Sequence, residues 1–206
     1  MIIEAIRIPS EAKRTIKHKL QQIIAGCDTH NIDIMSIQEH RLNTTNGEEI
    51  NYESIGDWTL AHTNASHECH GVAVLLNKRL AKISTVEKRS DRIIATHLQG
   101  NPKVCIITAY APTECSSTAA KDDFYDDLRD FVRAIPPHTV TIVTGDLNAR
   151  IGKDSHESNP RIVGPNCAHD VTNNNGQRMI DLCEAANLRP AHSHFANRPS
   201  RLLTYS

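Results

Sequence analysis

The run Thr139–Gly152, TVTIVTGDLNARIG, constrains the chain more than any other stretch. β-branched residues dominate its first half, and they fit the pleated, half-buried surface of a strand. The strand then runs straight into Gly-Asp-x-Asn. Residues i and i+2 of an extended chain point to one side, so Asp146 and Asn148 can present a carboxylate and an amide to one spot. Gly145 lets the backbone turn there without a Cβ penalty. The same residues also suit a plain turn, because Asp and Asn bond their own backbone. Taken alone, the motif divides evenly between the two readings.

Two further apolar strands end on polar groups. In SIQEHRL, Glu39 follows a buried strand over 33–38; in ITAYAPT (107–113), Tyr110 ends a strand that Pro112 breaks. Singly, Glu39 reads as a helix cap or surface charge, and Tyr110 as a core-edge residue. Ligands in open α/β sheets gather outside strand ends, and three such ends with polar groups define a candidate site. Carboxylate oxygens with an amide suit Mg²⁺, a hard ion that keeps its waters and binds phosphate.

The remaining pattern supplies the scaffold. A helix is expected from a Ser10 cap to about Gly26, with Ile16, Leu20, Ile23 and Ile24 on one face and Lys13, Arg14, Lys17 and Lys19 on the other. Residues 43–69 read as polar and turn-rich. GVAVLL (71–76), IIATHL (93–98) and VCIITAY (104–110) read as strands. A second helix is expected over about Lys121–Ile135, stopped by Pro136-Pro137. Residues 152–176 form a long loop, and a third helix covers about Gln177–Asn187. Helices alternating with apolar strands predict a single α/β domain over 1–206.

A net charge of −1 gives no global field toward nucleic acid or an anionic membrane, so any nucleic-acid contact must be local. No apolar run approaches the ~20 residues of a membrane helix, and Glu4 interrupts the apolar N-terminus. No membrane partner and no signal peptide are expected. Six scattered cysteines without C-x-x-C suit reduced thiols, hence an intracellular protein, nuclear or cytoplasmic.

Read in order, DIMSIQEHRL, HGVAVLLNKRL, SDRIIATHL, VCIITAYAPT, IVTGDLNARIG and NNNGQRMIDLCEAANL resemble the endonuclease/exonuclease/phosphatase (DNase I-like) superfamily. The resemblance covers about residues 30–206 and is nearest to the apurinic-like endonuclease domains of non-LTR retrotransposons. Each motif is modest; the ordered set is specific. It implies a four-layer α/β (α+β) sandwich of two mixed sheets flanked by helices. It also implies metal-dependent hydrolysis of a phosphodiester, with DNA as substrate and Mg²⁺, or alternatively Mn²⁺, as cofactor. A parent polyprotein with a reverse transcriptase is the implied context.

By the same resemblance, Glu39 matches the metal-binding glutamate and Asp146 the aspartate that activates or orients the attacking water. Asn148 matches the amide that holds a phosphate oxygen, and Tyr110 the tyrosine beside the scissile phosphate. Thr204 matches a threonine near the DNA-contacting surface. Asn173 and Asn175-Gly176 match a structural motif before the last helix. Arg92 resembles a family position to which no chemistry is assigned.

Two departures qualify the match. The family's first strand carries a metal-holding asparagine; here no Asn precedes Asn31, so no first strand is recognisable. The family closes on an Asp-His strand, and none is recognisable up to Ser206. DSH at 154–156 is a permuted decoy, and His192 and His194 come too early. The expectation is a domain with incomplete terminal strands. Its alternatives are a catalytically inactive remnant, or a relative acting on a small phosphate ester or phosphoinositide.

HTNASHECH (62–70) offers His62, His67, Cys69 and His70, but a structural zinc site needs cleaner spacing. Lys78, Arg79, Lys82, Lys88 and Arg89 read as a solvated face before a DNA-tracking one. Cys105 and Cys183 read as buried small hydrophobes.

Overall fold

The computed structural model describes residues 3–7, 13–44, 47–66 and 71–196, with side chains from residue 18 onward. The chain divides into two compact units: Met1–Tyr110 with Ile135–Asp146, and Ala111–Ala134 with Leu147–Ser206.

Among the described residues, the first unit holds nine strands in two mixed sheets. They are β1 (Ile3–Arg7), β2 (Ile34–Gln38), β3 (Asn51–Ile55), β4 (Trp58–His62), β5 (Val72–Asn77), β6 (Ser84–Ser90), β7 (Ile93–Leu98), β8 (Lys103–Tyr110) and β9 (Thr139–Asp146). One sheet runs β1-β2-β5-β4-β3, the other β6-β7-β8-β9. Of these strand pairs, β1–β2 and β8–β9 are parallel and the others antiparallel.

The period of two along β5 builds the core. Val72, Val74 and Leu76 face one way and pack with Ile34, Ile94, Ile106 and Tyr110 between the sheets. Ala73 and Leu75 face the other way, where Leu20 and Cys27 of helix α1 (Lys13–Thr29) cover Met35, Ile37 and Leu60. A hydrogen bond between Ser36 Oγ and Thr108 Oγ1, 2.8 Å, satisfies two hydroxyls buried between the sheets. Helix α2 (Lys78–Ala81) is a short turn capped by Asn77.

In the second unit, helix α3 (Thr118–Ala134) packs on α5 (Asn174–Ala185). The short helices α4 (Lys153–Ser158) and α6 (Ala191–His194) lie in the intervening and following segments.

The expected α/β class of two mixed sheets with flanking helices is the one observed, and the differences are local. The opening segment forms strand β1 although no first strand is recognisable in its sequence, because pairing is made by backbone groups and not by the missing asparagine. Residues 43–69 contain the hairpin β3–β4, and β6 precedes β7. Helix α3 starts before Lys121 because the Ser117 hydroxyl accepts the Ala120 N–H at 3.2 Å. Helix α5 starts before Gln177 because Asn173 caps it, its Oδ1 accepting the Gly176 N–H at 2.8 Å. The expected long loop contains α4 and is pinned by Asp154, whose carboxylate accepts the Thr172 N–H and hydroxyl. Those bonds hold the Asp154 carboxyl below the usual range, and DSH is thus structural.

Candidate active site

Glu39 leaves the end of β2 with φ +54, and Arg41 follows at φ +57. Non-glycine residues seldom adopt this left-handed backbone, and where they do the surroundings must hold it. The Glu39 N–H donates to Gly71 O at 2.9 Å, which ties the turn to the start of β5. The Glu39 side chain is 2% exposed, so its carboxylate needs partners. The Tyr110 hydroxyl donates to Glu39 Oε1 at 2.6 Å, a short charge-assisted bond. The Arg41 guanidinium stands 3.8 Å from Glu39 Oε2.

Tyr110 is the last residue of β8, and its register partner on β9 is Asp146. Parallel pairing therefore sets the Asp146 backbone beside that of Tyr110 at the ends of adjacent strands. Gly145 permits the approach at φ +128: a Cβ there would lie 2.0 Å from Ala109 O. Arg92 brackets Tyr110 from the β6–β7 turn. Its guanidinium carbon stands 5.4 Å from the ring centroid, and Nη1 donates to Tyr110 O at 3.3 Å. The structure thus brings Glu39, Tyr110 and Asp146 to one end of the first unit's sheets. It adds Arg41 and Arg92, which sequence reasoning left without a role. For Arg41 the available signal was its place two residues after Glu39.

Asn148 lies two residues past Asp146 and belongs to the second unit. It too is left-handed, φ +46, and its Nδ2 donates to Ala111 O at 2.8 Å, which fixes the amide plane. Fully buried Asn175 donates from Nδ2 to Pro112 O at 2.9 Å and to Asn148 O at 3.2 Å. Asn173 Oδ1 accepts the Arg150 N–H at 2.9 Å. The Asn-x-Asn-Gly segment is therefore a clamp on the loop that carries Asn148. Thr204 lies outside the described residues.

His62, from the zinc reading, is fully buried, with Nδ1 2.7 Å from Thr63 O. His67, Cys69 and His70 lie outside the described residues. Among the described residues, no three His, Cys, Asp or Glu side chains form a group able to hold a metal. Glu39 and Asp146 are hard oxygen donors, the ligand type that a hydrated divalent cation takes. Burial pushes the thiols of Cys105 and Cys183 up to about 11, so neither is a nucleophile at neutral pH.

Residues 12–199 match the endonuclease/exonuclease/phosphatase family, and the chain belongs to it. Craniofacial development protein 2 of Tragulus javanicus is 30% identical over 190 residues, 91% of this chain and 32% of the relative. The chain thus spans about a third of that relative's length. Among solved structures, AP endonuclease LMAP from Leishmania major superposes with a TM-score of 0.58 at 11% identity, over 90% of this chain and 66% of that one. The endonuclease domain of TRAS1, a telomere-specific non-LTR retrotransposon, gives 0.51 at 11% identity, over 81% and 64%. At such identities the likeness is one of fold. Among the described residues, no helix is long and apolar enough to cross a membrane.

Proposed function

We propose that residues 1–206 form one metal-dependent phosphodiesterase domain that cleaves DNA and derives from a retroelement, with a reverse transcriptase in the parent polyprotein. The observation that carries this reading is the buried Glu39 carboxylate, held by the Tyr110 hydroxyl at 2.6 Å, with Asp146 in register beside Tyr110. Glu39 would hold the cation, Mg²⁺ or Mn²⁺. The bound cation supplies charge neutralisation on the phosphate.

The residues of the chain do the rest. Tyr110 orients the Glu39 carboxylate through its hydroxyl. Asp146 accepts a proton from the attacking water and aims it in line. Asn148, its amide plane fixed by Ala111 O, donates to a phosphate oxygen. Arg41 and Arg92 place positive charge at the same strand ends and favour an anionic substrate.

Conversion of supercoiled plasmid to nicked circle, with divalent cation and with chelator, tests the proposal. Release of inorganic phosphate from 3′-phosphorylated oligonucleotides is measured in parallel. Chelator-sensitive nicking is the expected outcome. Phosphate release without nicking would assign the site to phosphomonoesters, and the absence of both activities would refute the reading.

A further inference from the structure

His40 stands between Glu39 and Arg41, and it is buried, 1% exposed. Its neighbours fix it. Its Nδ1 accepts the Leu42 N–H at 2.9 Å, a bond that spans the second left-handed residue, Arg41. The ring lies on Gly71: a Cβ at that position would meet Cε1 and Nε2 at 2.4 Å. It also meets His62, an edge-on ring with centroids 5.2 Å apart. His62 is itself held by Thr63, whose N–H donates to Val72 O at 3.1 Å and whose Oγ1 accepts the Val72 N–H at 3.2 Å.

Gly71 therefore receives the turn twice. Its carbonyl accepts the Glu39 N–H, and its missing side chain leaves the room that the His40 ring fills. A left-handed residue persists only where its surroundings over-determine it. Here two such residues flank one buried side chain. The Leu42 N–H that this side chain receives would otherwise be left without its acceptor.

We infer that His40 is a positioning residue: its Nδ1 acceptor, held beside Gly71, receives the Leu42 N–H and locks the left-handed backbone that aims the Glu39 carboxylate and the Arg41 guanidinium. The inference rests on the proposed phosphodiesterase reading for its consequence, and on geometry alone for its mechanism. Partners that orient a metal-holding group typically change affinity or activity by about 10- to 100-fold when removed.

Two substitutions separate this role from simple packing. His40→Phe keeps ring volume and removes the acceptor. His40→Asn removes the ring and places an amide oxygen near the Nδ1 position. Amide–Hα scalar couplings of Glu39 and Arg41, which report φ, and exchange of the Leu42 amide are measured by NMR without divalent ion. Mn²⁺ affinity follows from paramagnetic broadening, and kcat and KM from plasmid nicking.

Phe is expected to shift both couplings, to speed Leu42 exchange and to weaken Mn²⁺ binding about 10- to 100-fold, lowering kcat more than KM. Asn is expected to retain the couplings and most of the Mn²⁺ affinity. Unchanged couplings in a folded Phe variant, or equal loss in both variants, would overturn the inference. Should the Phe variant fail to fold, loss of the couplings in the Asn variant overturns it and their retention supports it. A wild-type chain that binds no Mn²⁺ refutes the functional reading instead, while the couplings still decide the role of His40.

Discussion

Substituting Gly145 by alanine should unfold part of the strand pair that carries the candidate site. The new Cβ would lie 2.0 Å from Ala109 O, 2.9 Å from Ala109 N and 3.0 Å from Ala109 C. All three are backbone atoms of a fully buried residue whose strand is paired on both sides, so they cannot recede without breaking ladder bonds. Overpacking a well-filled interior costs about 1–3 kcal/mol. Holding alanine at φ +128 adds strain of about 1–3 kcal/mol. Together the penalty is about 2–6 kcal/mol, a large part of the ~5–15 kcal/mol that stabilises an ordinary domain. Gly26→Ala is the matched control. It lies inside α1 with nothing within 4 Å of the added Cβ, and helix propensity predicts a gain of up to about 1 kcal/mol. Urea unfolding followed by circular dichroism measures both. A Gly145→Ala protein within about 1 kcal/mol of wild type would refute the close-approach argument.

Other outcomes follow from the same geometry. Tyr110→Phe removes the hydroxyl bonded to buried Glu39 and should cost about 1–3 kcal/mol in urea unfolding; a gain in stability would contradict the pairing. Asn175→Ala should cost a similar ~1–3 kcal/mol by releasing Pro112 O and Asn148 O, and should raise amide exchange over 147–151. Burial, with a smaller contribution from His62, pushes the His40 ring down to about 3, while the Val72 backbone acts the other way. Glu39 and Arg41 flank the ring in sequence, and Glu53 stands 3.7 Å behind His62. The unfolded chain therefore binds the extra proton as pH falls below about 6.5. Stability present at neutral pH should be lost toward pH 3 at about 1.4 kcal/mol per pH unit. His40→Asn should lack that slope, and parallel wild-type and variant curves would contradict the assignment.

What the sequence conveyed depended on how locally each feature is encoded. IIATHL and VCIITAY were legible as β7 and β8 because their apolar runs are buried on both faces. The hairpin partner β3 was not. Its buried Asn51 is satisfied by Thr44 and Asn64 from neighbouring loop segments, and Tyr52 and Ser54 face solvent, so NYESI carries no apolar alternation. β6 has the same disguise, with Val86 its one large aliphatic.

Site residues show the same division. Asp146 and Tyr110 became candidates because each ends a strongly patterned strand. Their pairing came from the β8–β9 register, a long-range property. The left-handed turns at Glu39 and Arg41 and the stacking of Arg92 on Tyr110 depend on Gly71 and on the β6–β7 turn. No window of sequence around Glu39 contains those elements.

The most direct test of the central claim is single-turnover nicking of supercoiled plasmid in Mg²⁺ by wild type, Glu39→Gln and Asp146→Asn. Each variant should retain the wild-type circular dichroism spectrum and lose about 10²–10³ in rate. Their double variant should lose little more than either alone, because groups acting as one unit are not additive. Wild-type rates in both folded variants would contradict the assignment of Glu39 and Asp146 to phosphodiester hydrolysis.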